Sequence, residues 1–216
     1  MKRTIGFLAV IVLTLSACKN KQSTAETKPA QPTETVAAAP AEEPKKIKEK
    51  VVENAKPEVR WMSMEDAVEL QSVVPKPIMI DVYTHWCGPC KMLSTNTFGD
   101  TRVAAYLNEN YYCVKFDAES PDTLYFKGTK YANPDYVPNK PGRNGVHQFA
   151  RFLNVGSYPT LFFFDKETQA IGPVTGYRTP AQIEIFLHYF AEEKYKTVRT
   201  QEEWTEYEKG FVVTWN

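Results

Sequence analysis

The segment Ile78–Tyr83 constrains the fold of this chain more than any other feature of the sequence. It reads IMIDVY, so Asp81 is the one charged residue in an otherwise nearly continuous apolar run. Such a run is typical of a β-strand that is covered on both faces, as in the parallel part of an α/β sheet. The carboxylate of Asp81 would then be buried, and because burial disfavours a charge, this residue requires a structural or functional explanation.

The rest of residues 58–216 alternates predicted helices with predicted strands, which indicates one α/β domain. The helix signals include Ser63, Asp100 and Thr179, each of which can cap a helix N-terminus. Predicted strands cover 78–83, 111–117, 160–164 and 171–175; further predicted helices cover 88–97, 147–153 and 200–208.

Two segments of this domain lie outside the simple alternation. Residues 118–145 are rich in proline and glycine, which predicts a long irregular insertion. Residues 195–216 follow the last core helix and are predicted to form a helical extension at the C-terminal end.

The N-terminal part of the chain has the features of an export signal. Lys2 and Arg3 precede an apolar run, Ile5–Leu15, which is shorter than the roughly 20 residues that span a bilayer as a helix. The run ends in Leu15-Ser16-Ala17-Cys18, which resembles the lipobox of bacterial lipoproteins. The resemblance implies a signal peptide at 1–17, a lipidated Cys18 and an anchor in the bacterial cell envelope that faces the periplasm. The alternative is an ordinary secretory peptide.

Residues 18–57 continue this N-terminal part as a flexible tether. From Lys19 to Pro57 the sequence has no aromatic residue and is dominated by Ala, Pro, Lys and Glu. Over the whole chain, Lys plus Arg and Asp plus Glu both count 26, so the formal net charge is zero. A chain without basic excess is a poor partner for nucleic acid, which excludes that class of function.

Two cysteines follow the strand at 78–83, in the order Cys87-Gly88-Pro89-Cys90, where a helix is predicted to begin. This spacing brings both thiols within bonding reach at a helix N-terminus. The positive end of the helix dipole stabilises a thiolate at Cys87, while Cys90 lies one turn deeper and can attack a mixed disulfide. The pattern therefore predicts a redox centre in which Cys87 attacks and Cys90 resolves.

Roughly residues 60–190 resemble thioredoxin and its exported relatives. Trp86-Cys87-Gly88-Pro89-Cys90-Lys91 matches the active-site signature of that family, and Asp81 matches its buried acid. Tyr158-Pro159-Thr160 matches the cis-proline loop, and Lys115 falls where the family keeps a lysine that faces the acid. The resemblance implies a thioredoxin fold, a central mixed sheet flanked by helices, with an insertion before the cis-proline strand.

The resemblance also implies roles for individual residues. Asp81, with a pKa raised by burial, would take the proton from Cys90 as that thiol attacks; the alternative is a structural carboxylate paired with Lys115. No cofactor or metal is implied beyond the redox-active Cys87–Cys90 disulfide. Substrate contacts would come from the residues around the attacking cysteine: Trp86, Gly88, Pro89, Tyr158 and Pro159.

These features predict a thiol-disulfide oxidoreductase that reduces disulfides of exported proteins. More narrowly, Val103–Asn110 and the loop Ser157–Thr160 look like exported bacterial thioredoxin-like lipoproteins, which implies a membrane-embedded electron donor. The alternative is a binding module of the same fold, such as a chaperone without redox turnover. A zinc site on Cys87 and Cys90 would need two further ligands, and the sequence offers no motif that supplies them. Cys113, within a predicted apolar strand, is expected to be a buried thiol without a redox role.

Overall fold

The apolar segment that begins at Ile78 is the central strand of a five-stranded sheet in the computed structural model, which describes residues 56–216. The strands are β1 (Trp61–Met62), β2 (Ile78–Tyr83), β3 (Tyr112–Asp117), β4 (Leu124–Phe126), β5 (Thr129–Tyr131), β6 (Thr160–Phe164) and β7 (Ala170–Thr175). The helices are α1 (Met64–Val73), α2 (Gly88–Met92), α3 (Thr101–Asn110), α4 (Gln148–Phe152), α5 (Pro180–Ala191) and α6 (Gln201–Gly210). A π-helical turn, Leu93–Thr97, continues α2, and a 3₁₀ turn covers Lys194–Lys196.

The main sheet has the strand order β1-β3-β2-β6-β7. The pairs β1–β3 and β2–β3 are parallel, and the pairs β2–β6 and β6–β7 are antiparallel. This arrangement confirms the predicted α/β architecture with a mixed sheet flanked by helices. The edges are β1, which has only 2 residues, and β7, which contains Pro173.

Side chains of β2 alternate between two apolar layers. Ile80 packs in a cluster that includes Phe149 of α4, whereas Met79 packs in a second cluster that includes Leu187 of α5. Because successive strand residues point to opposite faces, Asp81 lies on the same face as Met79. Strands β3 and β6 flank β2 on its two sides, so the burial predicted for Asp81 follows from its place at the centre of the sheet.

The segment 118–145 is more regular than its composition suggests. It contains the two-stranded hairpin β4–β5, whose turn residues Lys127 and Gly128 have φ values of 50° and 76°. Two positive φ angles in sequence are the geometry of the tight turn that suits a β-hairpin. Leu124 and Phe126 are buried, so the hairpin is attached to the domain through its apolar side. The prediction of an irregular segment is therefore wrong over residues 124–131.

The C-terminal end packs into the domain. Glu184 of α5 is buried, and its carboxylate accepts hydrogen bonds from the backbone N–H groups of Thr214 and Trp215, both at 2.9 Å, and from the Thr214 hydroxyl. The indole of Trp215 packs edge-on against Tyr106 of α3 at a ring-centroid distance of 5.5 Å. These contacts extend the apolar layer of α3 and α5 with residues that lie beyond α6.

The export signal at 1–17, the lipidated Cys18 and the tether up to residue 55 lie outside the described residues. Within residues 56–216, no helix has both the length and the apolar character needed to cross a membrane.

Replacing Trp215 with Ala should lower the free energy of unfolding by about 3 kcal/mol, because a nearly buried indole is exchanged for a cavity. Val212, whose exposed fraction is 77%, provides a control in the same segment. The change Val212→Ala should alter the free energy by less than about 0.5 kcal/mol. Urea denaturation measures both, and equal effects of the two changes would contradict the packing role of the segment.

Candidate active site

Cys87 and Cys90 form a disulfide at the junction of β2 and α2. Cys87 is the N-cap of α2, and its Sγ accepts a hydrogen bond from the backbone N–H of Cys90 at 3.1 Å. Pro89 in the first turn fits the start of a helix, where its missing N–H group costs nothing. The cysteines are similarly buried, with exposed fractions of 3% and 5%, so burial does not distinguish them in the disulfide form. The hydrogen bond from Cys90 N–H distinguishes the two cysteines, because an N–H donor stabilises negative charge on Cys87 Sγ in the reduced form.

Asp81 is 2% exposed, and no described residue forms a hydrogen bond with its Oδ1. Burial raises the pKa of this carboxyl to about 7, against a smaller lowering by the charge of Lys115. Although Lys115 lies opposite Asp81 in the register of β2 and β3, its Nζ contacts the Ser94 hydroxyl at 3.2 Å. Among the described residues, no salt bridge joins the two side chains. The arrangement favours a carboxyl group that changes protonation near neutral pH over a permanent ion pair.

A small cavity of about 130 Å³ connects this carboxyl with the redox pair. Asp81 and Cys90 both line it, together with Ser94 and Lys115. Because polar groups of Asp81, Ser94 and Lys115 line it, a cavity of this size can hold water, and one water can pass a proton between groups that do not touch. The geometry therefore allows proton transfer between Cys90 and Asp81 once the disulfide is reduced.

The Tyr158–Pro159 peptide bond is cis, as the resemblance implies. The Pro159 carbonyl accepts a hydrogen bond from Gly176 N–H at 2.8 Å, which attaches the loop to the end of β7. The Tyr158 ring meets the Trp86 ring edge-on at 6.0 Å between centroids, so the loop lies beside the residue that precedes Cys87. Gly88 is exposed, and no atom lies within 4 Å of where its Cβ would be, so open space remains next to the redox pair.

Trp86 is held by residues that the sequence analysis did not single out. Its indole N–H donates to Glu119 Oε2 at 2.9 Å, and the same oxygen accepts from the backbone N–H of Asn144 at 2.9 Å. The guanidinium of Arg143 lies 4.5 Å from the centre of the Trp86 ring. Glu119 follows the carboxyl end of β3. Because ligands of α/β sheets bind at the carboxyl ends of the strands, this position could have identified Glu119 as a site residue from the sequence. Arg143 and Asn144 have no such signal in the sequence.

His85 and Cys113 are two other residues with side chains that can titrate. His85, two residues before Cys87, has an 82% exposed side chain, and its Nε2 lies 3.0 Å from Asp117 Oδ2. Cys113 is a buried free thiol whose pKa is raised to about 12 by burial, so it is poorly suited to form a thiolate. No group of three or more His, Cys, Asp and Glu side chains within residues 56–216 is placed to hold a metal ion.

A disulfide at the start of a helix, next to a buried acid and a cis-proline loop on a mixed sheet, defines the class of thioredoxin-fold dithiol proteins. The family model of the thioredoxin-like domain matches residues 64–191, and the chain belongs to this family. The predicted family and fold are therefore confirmed.

Individual relatives agree with this assignment. The thiol:disulfide interchange protein DsbD of Yersinia pestis is 28% identical over 137 residues, which cover 60% of this chain and 19% of the relative. The chain thus corresponds to about a fifth of that protein. A thioredoxin-like protein of Synechocystis is 28% identical over 90 residues, which cover 39% of this chain and 83% of the relative.

Solved structures similar to this chain were also found, at lower sequence identity. A thioredoxin-fold protein from Helicobacter pylori is 16% identical, with a TM-score of 0.47 and coverage of 62% of this chain and 81% of that one. A putative disulphide-isomerase from Bacteroides thetaiotaomicron is 23% identical, with a TM-score of 0.44 and coverage of 64% and 98%.

Replacing Asp81 with Asn should stabilise the domain, with a gain that grows as pH rises. The folded pKa of about 7 exceeds the ordinary 3.8, so the folded state holds a proton that the unfolded state has released between these values. The stability of the native protein therefore falls from about pH 4 to about pH 7 and is level above that range. Asn at this position has no proton to release, so the free energy of unfolding of the variant does not fall over this range. In the native protein the fall is as much as about 4 kcal/mol.

Urea unfolding of the oxidised protein at several pH values between about 4 and 8 measures this difference. Asp66→Asn, at an exposed carboxylate in the first turn of α1, is the matched control. A constant difference between native protein and Asp81→Asn over the whole range would contradict the raised pKa.

Proposed function

We propose that this protein is a thiol-disulfide oxidoreductase that reduces the disulfides of exported proteins. The observation that carries the proposal is the Cys87–Cys90 pair at the start of α2, together with the buried acid that shares a cavity with Cys90. The matched family and the DsbD relatives, which are named thiol:disulfide interchange proteins, support the same chemistry.

The reaction begins with the reduced protein. The Cys87 thiolate attacks one sulfur of a substrate disulfide, a mixed disulfide forms, and the other substrate sulfur leaves as a thiolate. Cys90 then loses its proton to Asp81 and attacks Cys87 Sγ, which expels the second substrate thiolate. Two electrons pass to the substrate, and the Cys87–Cys90 disulfide forms again. The raised pKa of Asp81 suits it to receive this proton near neutral pH.

The proposal that Cys87 is the attacking group is supported by the better thiolate site at its sulfur. Its Sγ accepts the backbone N–H of Cys90, whereas Cys90 lies inside the helix and next to the cavity of Asp81. Substrate would approach over Gly88 and Pro89, which are exposed. On the other side it would contact Trp86, Tyr158 and Pro159, the last two through the backbone of their loop.

The residues between the cysteines support the proposed direction of electron flow, from this protein to its substrates. Gly88 and Pro89 carry no side chain that could donate a hydrogen bond to the Cys87 thiolate, so the reduced form lacks the added stabilisation found in strong oxidants. A membrane-embedded donor would return the protein to its reduced state. Lipid on Cys18 would hold the domain at the cell envelope, facing the periplasm, with residues 19–57 as the tether.

The two cysteines should behave differently when each is replaced by Ser. Cys87→Ser should abolish reduction of insulin in the presence of dithiothreitol, since no thiolate remains to attack. Cys90→Ser should accumulate mixed disulfides with substrate proteins, because the covalent intermediate forms and cannot be resolved. Non-reducing electrophoresis after alkylation measures the trapped species. Equal trapping by both variants would refute the assignment of roles.

The same insulin assay tests the alternative of a binding module. A chaperone without redox turnover would leave dithiothreitol reduction at its uncatalysed rate when the native protein is present in catalytic amounts. An oxidoreductase accelerates it.

The Cys87–Cys90 pair should have a reduction potential nearer to about −270 mV, the value of thioredoxin, than to about −120 mV, the value of the strong periplasmic oxidant. Equilibration with glutathione buffers, followed by mass measurement of alkylated and disulfide forms, gives this potential. A reduction potential of about −120 mV would argue for disulfide donation and against reductase activity.

A further inference from the structure

The segment 118–145 returns to the rim of the active site after its hairpin. Its first residues supply Glu119, which accepts the Trp86 indole N–H, and its last residues supply Arg143 and Asn144. The return is fixed by several contacts within the segment. Asn133 Nδ2 donates to the Gly145 carbonyl at 2.7 Å, and a Cβ on Gly145 would clash with the backbone of Asp135. These contacts fix the backbone just after Arg143, while Arg143 itself is exposed and contacts the Trp86 ring.

A surface cavity of about 510 Å³ lies between this segment and the cis-proline loop. Trp86 and Tyr158 line it on the side of the redox pair, and Arg143 and Asn144 line it on the side of the segment. The cavity thus adjoins both the residue before Cys87 and the loop along which substrate would extend. A side chain one or two residues from an attacked disulfide can reach it.

Among the residues that the structure describes, Arg143 is the one cationic residue that lines this cavity. The one carboxylate that these residues place on the same wall is Glu119, and its Oε2 already accepts two N–H groups. Within residues 56–216, no salt bridge involves Arg143, whose guanidinium is stacked on the indole and exposed. A guanidinium that contacts a ring through its face keeps N–H groups at its edge for a carboxylate, which it can bind through two parallel hydrogen bonds.

We propose that Arg143 is a specificity-determining residue that selects substrates with a carboxylate side chain close to the attacked disulfide. This inference rests on the proposed function and adds to it the class of substrate. The insertion thereby has a role in the reaction: it carries a cation to the edge of a site whose thiol chemistry alone would not discriminate between disulfides.

A purely mechanical role is the competing explanation, in which Arg143 only holds Trp86 in place. The two explanations differ in what they predict for a series of substrates. Loss of a positioning contact slows the reduction of every disulfide by the same factor, whereas loss of a carboxylate partner slows only the acidic substrate.

The test uses the dithiothreitol-reduced full domain and three cyclic peptides with one disulfide each, identical except for Glu, Gln or Lys beside one cysteine. The measured quantity is the second-order rate constant of a single turnover, which needs no electron donor. We expect the native protein to reduce the Glu peptide about fivefold faster than the Lys peptide, the upper range for an exposed ion pair. The preference should weaken in about 0.5 M salt, where exposed charges are screened.

Arg143→Gln should bring the Glu-to-Lys ratio to about one or below, since the Glu119 carboxylate remains on the same wall, and Arg143→Glu should invert the ratio. Lys130→Gln, which removes an exposed charge from β5 of the same segment, is the matched control and should keep the native ratio. Equal slowing of all three peptides by Arg143→Gln, or no preference in the native protein, would overturn the proposal. A native protein that reduces none of the peptides would instead refute the oxidoreductase function on which the proposal rests.

Discussion

The burial of the Asp81 carboxyl group is the constraint around which the site is organised. A carboxylate at the centre of a sheet loses its hydration, and the structure offsets this only partly, through the nearby charge of Lys115. The consequence is a group that carries a proton at acidic pH and releases it near neutrality. The apolar residues of β2, the strands on both sides of it and the cavity shared with Cys90 all serve to maintain this environment.

The sheet topology explains why three separate chain segments meet at the redox pair. Strands β2 and β3 are parallel, so the segments that follow them, with Cys87 and Glu119, leave the sheet at the same end of the strands. Strand β6 is antiparallel to β2 and therefore begins at that end, which places Pro159 there. The pairing of the strands thus brings the cysteines, the proline loop and the insertion together, whatever contacts their side chains make.

The sequence was most informative where a physical pattern is local. Apolar runs gave β2 and β6 within a residue, Thr179 and Pro180 gave the start of α5, and the isolated acid in an apolar strand indicated the burial of Asp81. Strand β1 was missed because 2 residues contain no periodicity.

The remaining features depend on contacts between residues far apart in the chain. The hairpin at 124–131 was hidden because its proline- and glycine-rich surroundings dominate the composition. The hydrogen bonds of Glu184 with Thr214 and Trp215, and the stacking of Arg143 on Trp86, join positions that no local pattern connects.

The edges of the main sheet have a consequence for the protein at high local concentration. An exposed edge strand with a long row of free N–H and C=O groups can pair with a second chain and start aggregation. Here one edge ends after the 2 residues of β1, and the other carries Pro173, which has no N–H to donate. If many copies were held close together on one surface, their edge strands would therefore offer few continuous rows of free N–H and C=O groups for pairing between chains.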